Sequence, residues 1–223
     1  MRFFLALTAV LCAATPVAAQ HDHGAHGAEI KGTGRLPDGW NARIDRQPAN
    51  TALDRLNLMQ MGPNTLHVQM GAANAVFWNP QYNAQGEFEL GATFRQLKPL
   101  EHHPEGYGLV FNGSNLDKSN QAYVYFLVKD GQFLINHRAG EELHKIVPWT
   151  AHAAIKKADA SGRETNELAV RVVGKDVLYI INGEVVQRHD REYMKPDGFV
   201  GFRVNMHLDM QVENFRLGKP VSR

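Results

Sequence analysis

The chain has 223 residues, 43% of them hydrophobic and 21% charged, which excludes whole-chain disorder and supplies enough apolar surface for a sizeable core. Its 24 Lys and Arg face 23 Asp and Glu, a formal net charge of +1. That near-balance argues against nucleic-acid binding by broad phosphate attraction and against a polybasic membrane-surface role.

Residues 1–19, MRFFLALTAVLCAATPVAA, read as a secretory signal peptide. Arg2 supplies the positive start, 3–14 the apolar run, and Pro16 with the small residues up to Ala19 the cleavage site. The run is too short to span a bilayer comfortably, and no later stretch qualifies. Leu11 before Cys12 is a poor fit to lipoprotein processing, so a soluble exported protein, periplasmic or extracellular, is expected. Cleavage after Ala19 removes the only cysteine, leaving no disulfide, thiol nucleophile or thiolate metal site. Residues 20–38, rich in Gly and His, read as a mobile leader with a short strand near 29–31.

From Trp40 onward the pattern is strand after strand, at 55–61, 65–70, 75–78, 87–97, 107–112, 122–129, 132–138, 166–173, 177–182, 199–206 and 210–217. Turn signals separate them, among them Asp130-Gly131, Asn182-Gly183 and Asp197-Gly198. Residues 151–158 offer one or two helical turns. No repeat appears, and no shift of composition divides 39–218, read as a single domain with 219–223 as a tail. Eleven or so strands on short turns predict an all-β, two-sheet antiparallel jelly-roll sandwich. In 199–208, Val200, Phe202, Val204 and Met206 share one face, while Gly201, Arg203, Asn205 and His207 share the other. Residues 177–182 are apolar on both faces, which predicts a central strand covered on both sides.

The segments YGLVFNGSNLD (107–117), AYVYFLVKDGQFLINHRAG (122–140), NELAVRVVGKDVLYIINGEVV (166–186) and DGFVGFRVNMHLDMQVENFRL (197–217) resemble the concanavalin A-like lectin/glucanase superfamily. Within it they look closest to the laminin-G-like branch that includes the 3-keto-disaccharide hydrolase domain family. The resemblance implies two curved antiparallel sheets. It also implies a ligand, often a carbohydrate, on the concave face or rim loops; many members of the family bind proteins instead.

The leading constellation is Arg203, Asn205 and His207, which period-two alternation places on one face with donors and acceptors suited to sugar hydroxyls or a carboxylate. A solvated sheet face is the alternative. Tyr123 and Tyr125 share a face opposite Val124, Phe126 and Val128, where they can stack on sugar rings or simply pack across strands. Either His137 or Arg138 faces the same groove, but strand neighbours cannot both do so.

Glu87 and Glu89 sit at i, i+2 as weak catalytic candidates. The resemblance to laminarinase-type glucanases implies three alternating acids there; the third is missing, and solvent-facing charges on an edge strand are the competing reading. His207 and His137 are the candidate general bases of a hydrolase. For metals, Glu101-His102-His103-Pro104-Glu105 and the leader residues His21, His23 and His26 are weak transition-metal candidates. The turn-rich loop from Asn112 through Asp117 to Asn120 is a weak calcium candidate, as rim loops of laminin-G-like relatives imply.

No P-loop, GxGxxG or nucleophile elbow occurs. Trp40, Trp78 and Trp149 read as packing residues, with Trp149 a candidate groove edge. The sequence thus predicts a carbohydrate-recognition sandwich using Arg203, Asn205, His207, Tyr123, Tyr125, His137 and Arg138, with no cofactor required. A (3-keto-)glycoside or glycan hydrolase and a cell-envelope protein-interaction module are the alternatives.

Overall fold

A computed structural model describes residues 30–47, 49, 53–99 and 105–220. The expected signal peptide, Cys12, the leader histidines His21, His23 and His26, and the Glu101, His102, His103 and Pro104 cluster lie outside the described residues. The described chain forms fourteen strands. They are β1 (Asn41–Ile44), β2 (Leu56–Gly62), β3 (Thr65–Met70), β4 (Ala75–Ala84), β5 (Phe88–Pro99), β6 (Tyr107–Ser114) and β7 (Ala122–Lys129). Then follow β8 (Gln132–Ala139), β9 (Glu142–Ala151), β10 (Glu164–Val173), β11 (Asp176–Ile181), β12 (Glu184–Asp190), β13 (Gly198–Val204) and β14 (Leu208–Gly218), with one short helix, α1 (Arg191–Met194).

They build two antiparallel sheets of seven. Sheet 1 runs β1-β4-β13-β6-β7-β8-β9, and sheet 2 runs β12-β11-β10-β5-β14-β3-β2. This is the all-β sandwich the alternation predicts. The turns form as expected. Asp130 and Gly131 (φ 43° and 74°) and Asn182 and Gly183 (φ 49° and 87°) both take the left-handed region at both positions, as two-residue hairpins require. Among the described residues, no helix is long and apolar enough to cross a membrane.

The inter-sheet core takes one face of every central strand, with Phe77 stacked on Phe202 at 5.0 Å and Phe126 edge-on to Tyr179 at 5.2 Å. One polar network lies buried at its margin. The Tyr107 hydroxyl donates to Glu164 (2.6 Å) and accepts from Asn166 Nδ2 (2.9 Å). Burial pushes both Tyr107 and Glu164 up from their ordinary pKa values.

Three expectations are corrected. Residues 151–158 form no helix, because their backbone groups are taken by side chains. Asn166 accepts from the Lys156 amide (2.9 Å) and donates to its carbonyl (3.0 Å), and Asn182 donates to the Ala154 carbonyl (2.7 Å). The apolar strand at 177–182 is next to an edge rather than central; β11 lies between β10 and the edge strand β12, and Leu178 is half-buried. The described part of the expected leader makes no strand at 30–31. It lies against the sandwich instead, with Gly32 donating to the Asp54 carbonyl (2.7 Å) and Thr33 to Asn57 (2.9 Å).

Gly201 marks the tightest approach inside sheet 1. A Cβ there would lie 2.1 Å from the Phe77 carbonyl oxygen, which belongs to backbone and cannot swing away. Gly201→Ala is therefore expected to lower unfolding free energy by about 3 kcal/mol in denaturant titration, at the upper end of overpacking costs. An unchanged midpoint would show that β4 and β13 part freely.

Candidate functional site

Sheet 1 has an apolar cluster on its outer face as well as its inner one. Val76, Trp78, Val110, Tyr123, Tyr125, Leu127 and Leu134 are buried there, with Trp149 and Phe199 partly buried against them. Register explains the assembly. One row across the sheet aligns Arg43, Val76, Arg203, Gly108 and Leu127; the next aligns Trp78, Gly201, Val110, Tyr125 and Asn136. Gly108 stands beside Arg203 because a Cβ there would lie 2.1 Å from the Phe126 carbonyl oxygen.

Arg203 is only 4% exposed. Its Nη1 and Nη2 donate to the two Asp45 carboxylate oxygens at 3.0 and 2.6 Å, a planar fork on a carboxylate. Nη1 also donates to the Tyr123 hydroxyl (3.3 Å) and Nε to Asn205 Oδ1 (3.1 Å). The guanidinium carbon lies 5.2 Å from the Tyr125 ring centroid, and Asn136 Nδ2 donates to the Tyr125 hydroxyl (3.0 Å). Burial alone would raise the Asp45 carboxyl, but the charge and hydrogen bonds of Arg203, then Arg138, outweigh it and hold Asp45 below its usual range. Burial opposes the charge on Arg203 as well; Asp45 overcomes it and pushes the guanidinium up. Burial raises the Tyr123 hydroxyl.

The expected groups therefore meet in part. Arg203, Asn205, Tyr123, Tyr125 and Arg138 share the outer face, but the Arg203 guanidinium is enclosed and committed to protein partners. Tyr123 (0% exposed) and Tyr125 (6%) are likewise covered. Arg138, opposite Tyr123, is the member of the His137–Arg138 pair on this face. His137 lies opposite the core residue Val124 and stacks on His144 at 5.6 Å. Burial, then the neighbouring His144, lowers its pKa.

His207 does not continue the row. β13 ends at Val204, and His207 sits in the following turn with φ 58°, its amide donating to the Gly71 carbonyl (3.1 Å). The alternation stops because the backbone stops pairing with β6.

The acidic pair also separates. Glu87 precedes β5 and accepts from the Gly174 amide (2.7 Å). Glu89 is on the outer face of sheet 2, ion-paired with Arg171 (2.7 Å) and Arg216 (3.6 Å). The expected edge strand is in fact the middle of its sheet.

Asn112 donates to the Met194 carbonyl (3.3 Å), and Asp117 is exposed. The loop carbonyls of Leu116 and Lys118 accept from Arg43 Nη1 at 3.4 and 2.7 Å. Arg43 thus holds two of the loop's carbonyls, and Asp117 is the one carboxylate between residues 112 and 120. Among the described residues, no group of three or more His, Cys, Asp or Glu gathers as metal ligands.

Sequence reasoning missed Asp45, Arg43 and the Asn205–Glu105 contact (3.4 Å). Asp45 lies 158 residues from Arg203, and no local pattern marks it.

No protein-family model matches the chain, and no curated protein matches its sequence. Solved structures match its fold. The exoplasmic/lumenal domain of VIP36, in a form bound to Ca2+ and Man3GlcNAc, superposes with TM-score 0.54 at 11% identity, covering 82% of this chain and 86% of that one. The carbohydrate-binding module CBM66 from Bacillus subtilis gives 0.50 at 9% identity over 69% and 86%. A Bacillus subtilis protein of unknown function with a galectin-like fold gives 0.52 at 13% identity over 87% and 95%. The chain therefore has a two-sheet antiparallel, concanavalin A-like sandwich fold.

Asp45 titrates below its unfolded value, so its contribution to stability is present at neutral pH and is lost as pH falls below about 4. Asp45→Ala, which leaves Arg203 buried without its counter-charge, is expected to cost about 3 kcal/mol and to flatten that acid limb. Denaturant titrations of both proteins between pH 3 and 7 measure it; parallel curves would mean that the pair contributes nothing.

Proposed function

We propose that this chain is an exported carbohydrate-recognition sandwich whose ligand lies on the outer face of sheet 1. The observation that carries the reading is the second cluster on that face. It sets an indole, two tyrosines, guanidiniums and carboxamides together where a free-standing sandwich has a solvated surface.

The buried Arg203–Asp45–Tyr123 network is the floor. Contact with ligand falls to the partly exposed rim: Trp149 for the apolar face of a sugar ring, and Asn205, Glu105 and Arg138 for its hydroxyls. Gly106 keeps that edge open, since a Cβ there would touch both Trp149 and Asn205 at 3.3–3.4 Å. The lectin-type folds of VIP36 and CBM66, a carbohydrate-bound protein and a carbohydrate-binding module, support the reading by architecture. Export rests on the signal-like 1–19 segment.

Non-covalent binding accounts for the described groups better than hydrolysis. A glycosidase needs two free carboxyl groups flanking one bond, whereas Asp45 is locked to Arg203 and Glu89 to Arg171.

Trp149→Ala is expected to weaken glycan binding about tenfold or more, with the melting temperature within a few degrees of the parent. Binding of the parent is expected to persist in EDTA, because Arg43 holds the loop carbonyls. Glycan-array binding followed by calorimetry on the best-bound oligosaccharide measures both. A protein that binds no glycan, or releases a sugar product, would refute the reading.

A further inference from the structure

The guanidiniums on the outer face of sheet 1 are unequally paired. Three guanidiniums, Arg43, Arg138 and Arg203, stand near Asp45, and Asp117 also acts on Arg43. The Asp45 carboxylate is committed. Both its oxygens accept from Arg203, and Arg138 Nη2 stands off at 3.9 Å from the oxygen that Arg203 Nη2 holds at 2.6 Å. Arg43 spends Nη1 on two backbone carbonyls, which carry no net charge. Glu105 faces Asn205, and the exposed Asp117 acts on Arg43 rather than on Arg138.

Two buried guanidinium nitrogens, Nε of Arg43 and Nε of Arg138, have no hydrogen-bond partner among the described residues. The Arg138 side chain is 14% exposed, and its ion pair with Asp45 is long, at 3.9 Å. A long, largely desolvated ion pair costs free energy in the unliganded protein, which an anion meeting the exposed part of Arg138 offsets. Asp45 Oδ2 is shared by both guanidiniums, with Arg203 holding the short contact and Arg138 the long one.

We infer that the ligand of this face is an acidic glycan, and that Arg138 receives the carboxylate of a uronate residue. The inference rests on the carbohydrate reading above and names the chemical class of its ligand. A carboxylate fits because it is planar and can take two parallel N–H donors, the geometry Asp45 already shows with Arg203. The partly buried setting strengthens the attraction relative to open solvent. A neutral sugar would leave Arg138 as it is and gain only hydroxyl contacts. Arg138 here is a specificity-determining residue, and Arg203 positions it through the shared Asp45.

The test uses the full-length mature protein on an array of neutral, carboxylated and sulfated oligosaccharides, followed by calorimetry on trigalacturonate and on its neutral methyl ester. Uronate-bearing members are expected to dominate the array. The acid is expected to bind about tenfold tighter than the ester at low salt, a gap that narrows as salt is raised. Arg138→Gln is expected to erase the gap. Arg138→Lys, which keeps the charge but loses the fork, should keep only part of it. Melting temperatures of both variants show whether they fold, and the Lys variant serves if Gln does not. Binding of neutral glycans alone, or equal binding of acid and ester, would overturn this inference and leave the carbohydrate reading in place. Binding of sulfated glycans alone would overturn the choice of a carboxylate. No binding to any glycan would remove both.

Discussion

The Arg203–Asp45 pair holds the outer face of sheet 1 together. It ties the interior strand β13 to the residue that follows the edge strand β1, across four ring-forming donor–acceptor atoms at 2.6 and 3.0 Å. The same guanidinium reaches Tyr123 on β7 and Asn205 at the end of its own strand. A buried ion pair adds little net stability over a well-packed apolar alternative, because both ions lose their hydration. Breaking one side of it is costly, so it works as a constraint on geometry. The tyrosines, Asn205 and the turn after β1 are fixed relative to one another by that constraint.

Sheet 1 consequently differs from sheet 2. Its inner face enters the common core, and its outer face builds a second apolar cluster threaded with hydroxyls, carboxamides and guanidiniums. The outer face of sheet 2 is of the ordinary solvated kind: Glu89, Arg171, Arg216 and Glu167 form a chain of ion pairs along it, with the Arg216 and Glu167 side chains 43% and 50% exposed. Such exposed pairs contribute little energy individually. The asymmetry between the faces, more than any single residue, directs attention to sheet 1.

The interior strands were legible because burial imposes a period on them. Residues 122–129 and 166–173 read as strands from alternation alone, and Asp130-Gly131 and Asn182-Gly183 marked their hairpins. Three strands escaped notice: β1, β9 and β12. Each is an edge strand. β9 is exposed along most of its length and contains Pro148, and β12 is exposed or half-buried throughout. A strand paired on one side only has less burial to write into its sequence, and charges or proline at an edge discourage further pairing. The helix expected at 151–158 failed for a different reason: carboxamides 10 and 28 residues away claimed its backbone groups.

Local sequence determined the fold class, the inner and outer faces of the central strands, and the placement of Arg203, Asn205, Tyr123 and Tyr125 on one surface. Those follow from period-two geometry and turn stereochemistry, which act over a few residues. Tertiary structure decided that Arg203 is closed off by Asp45, that Arg138 and not His137 faces this surface, and that His207 leaves it. These depend on where strands end and on which side chains meet across sheets and loops. A partner 158 residues distant leaves no periodic trace, because its position is set by the whole path of the chain between them.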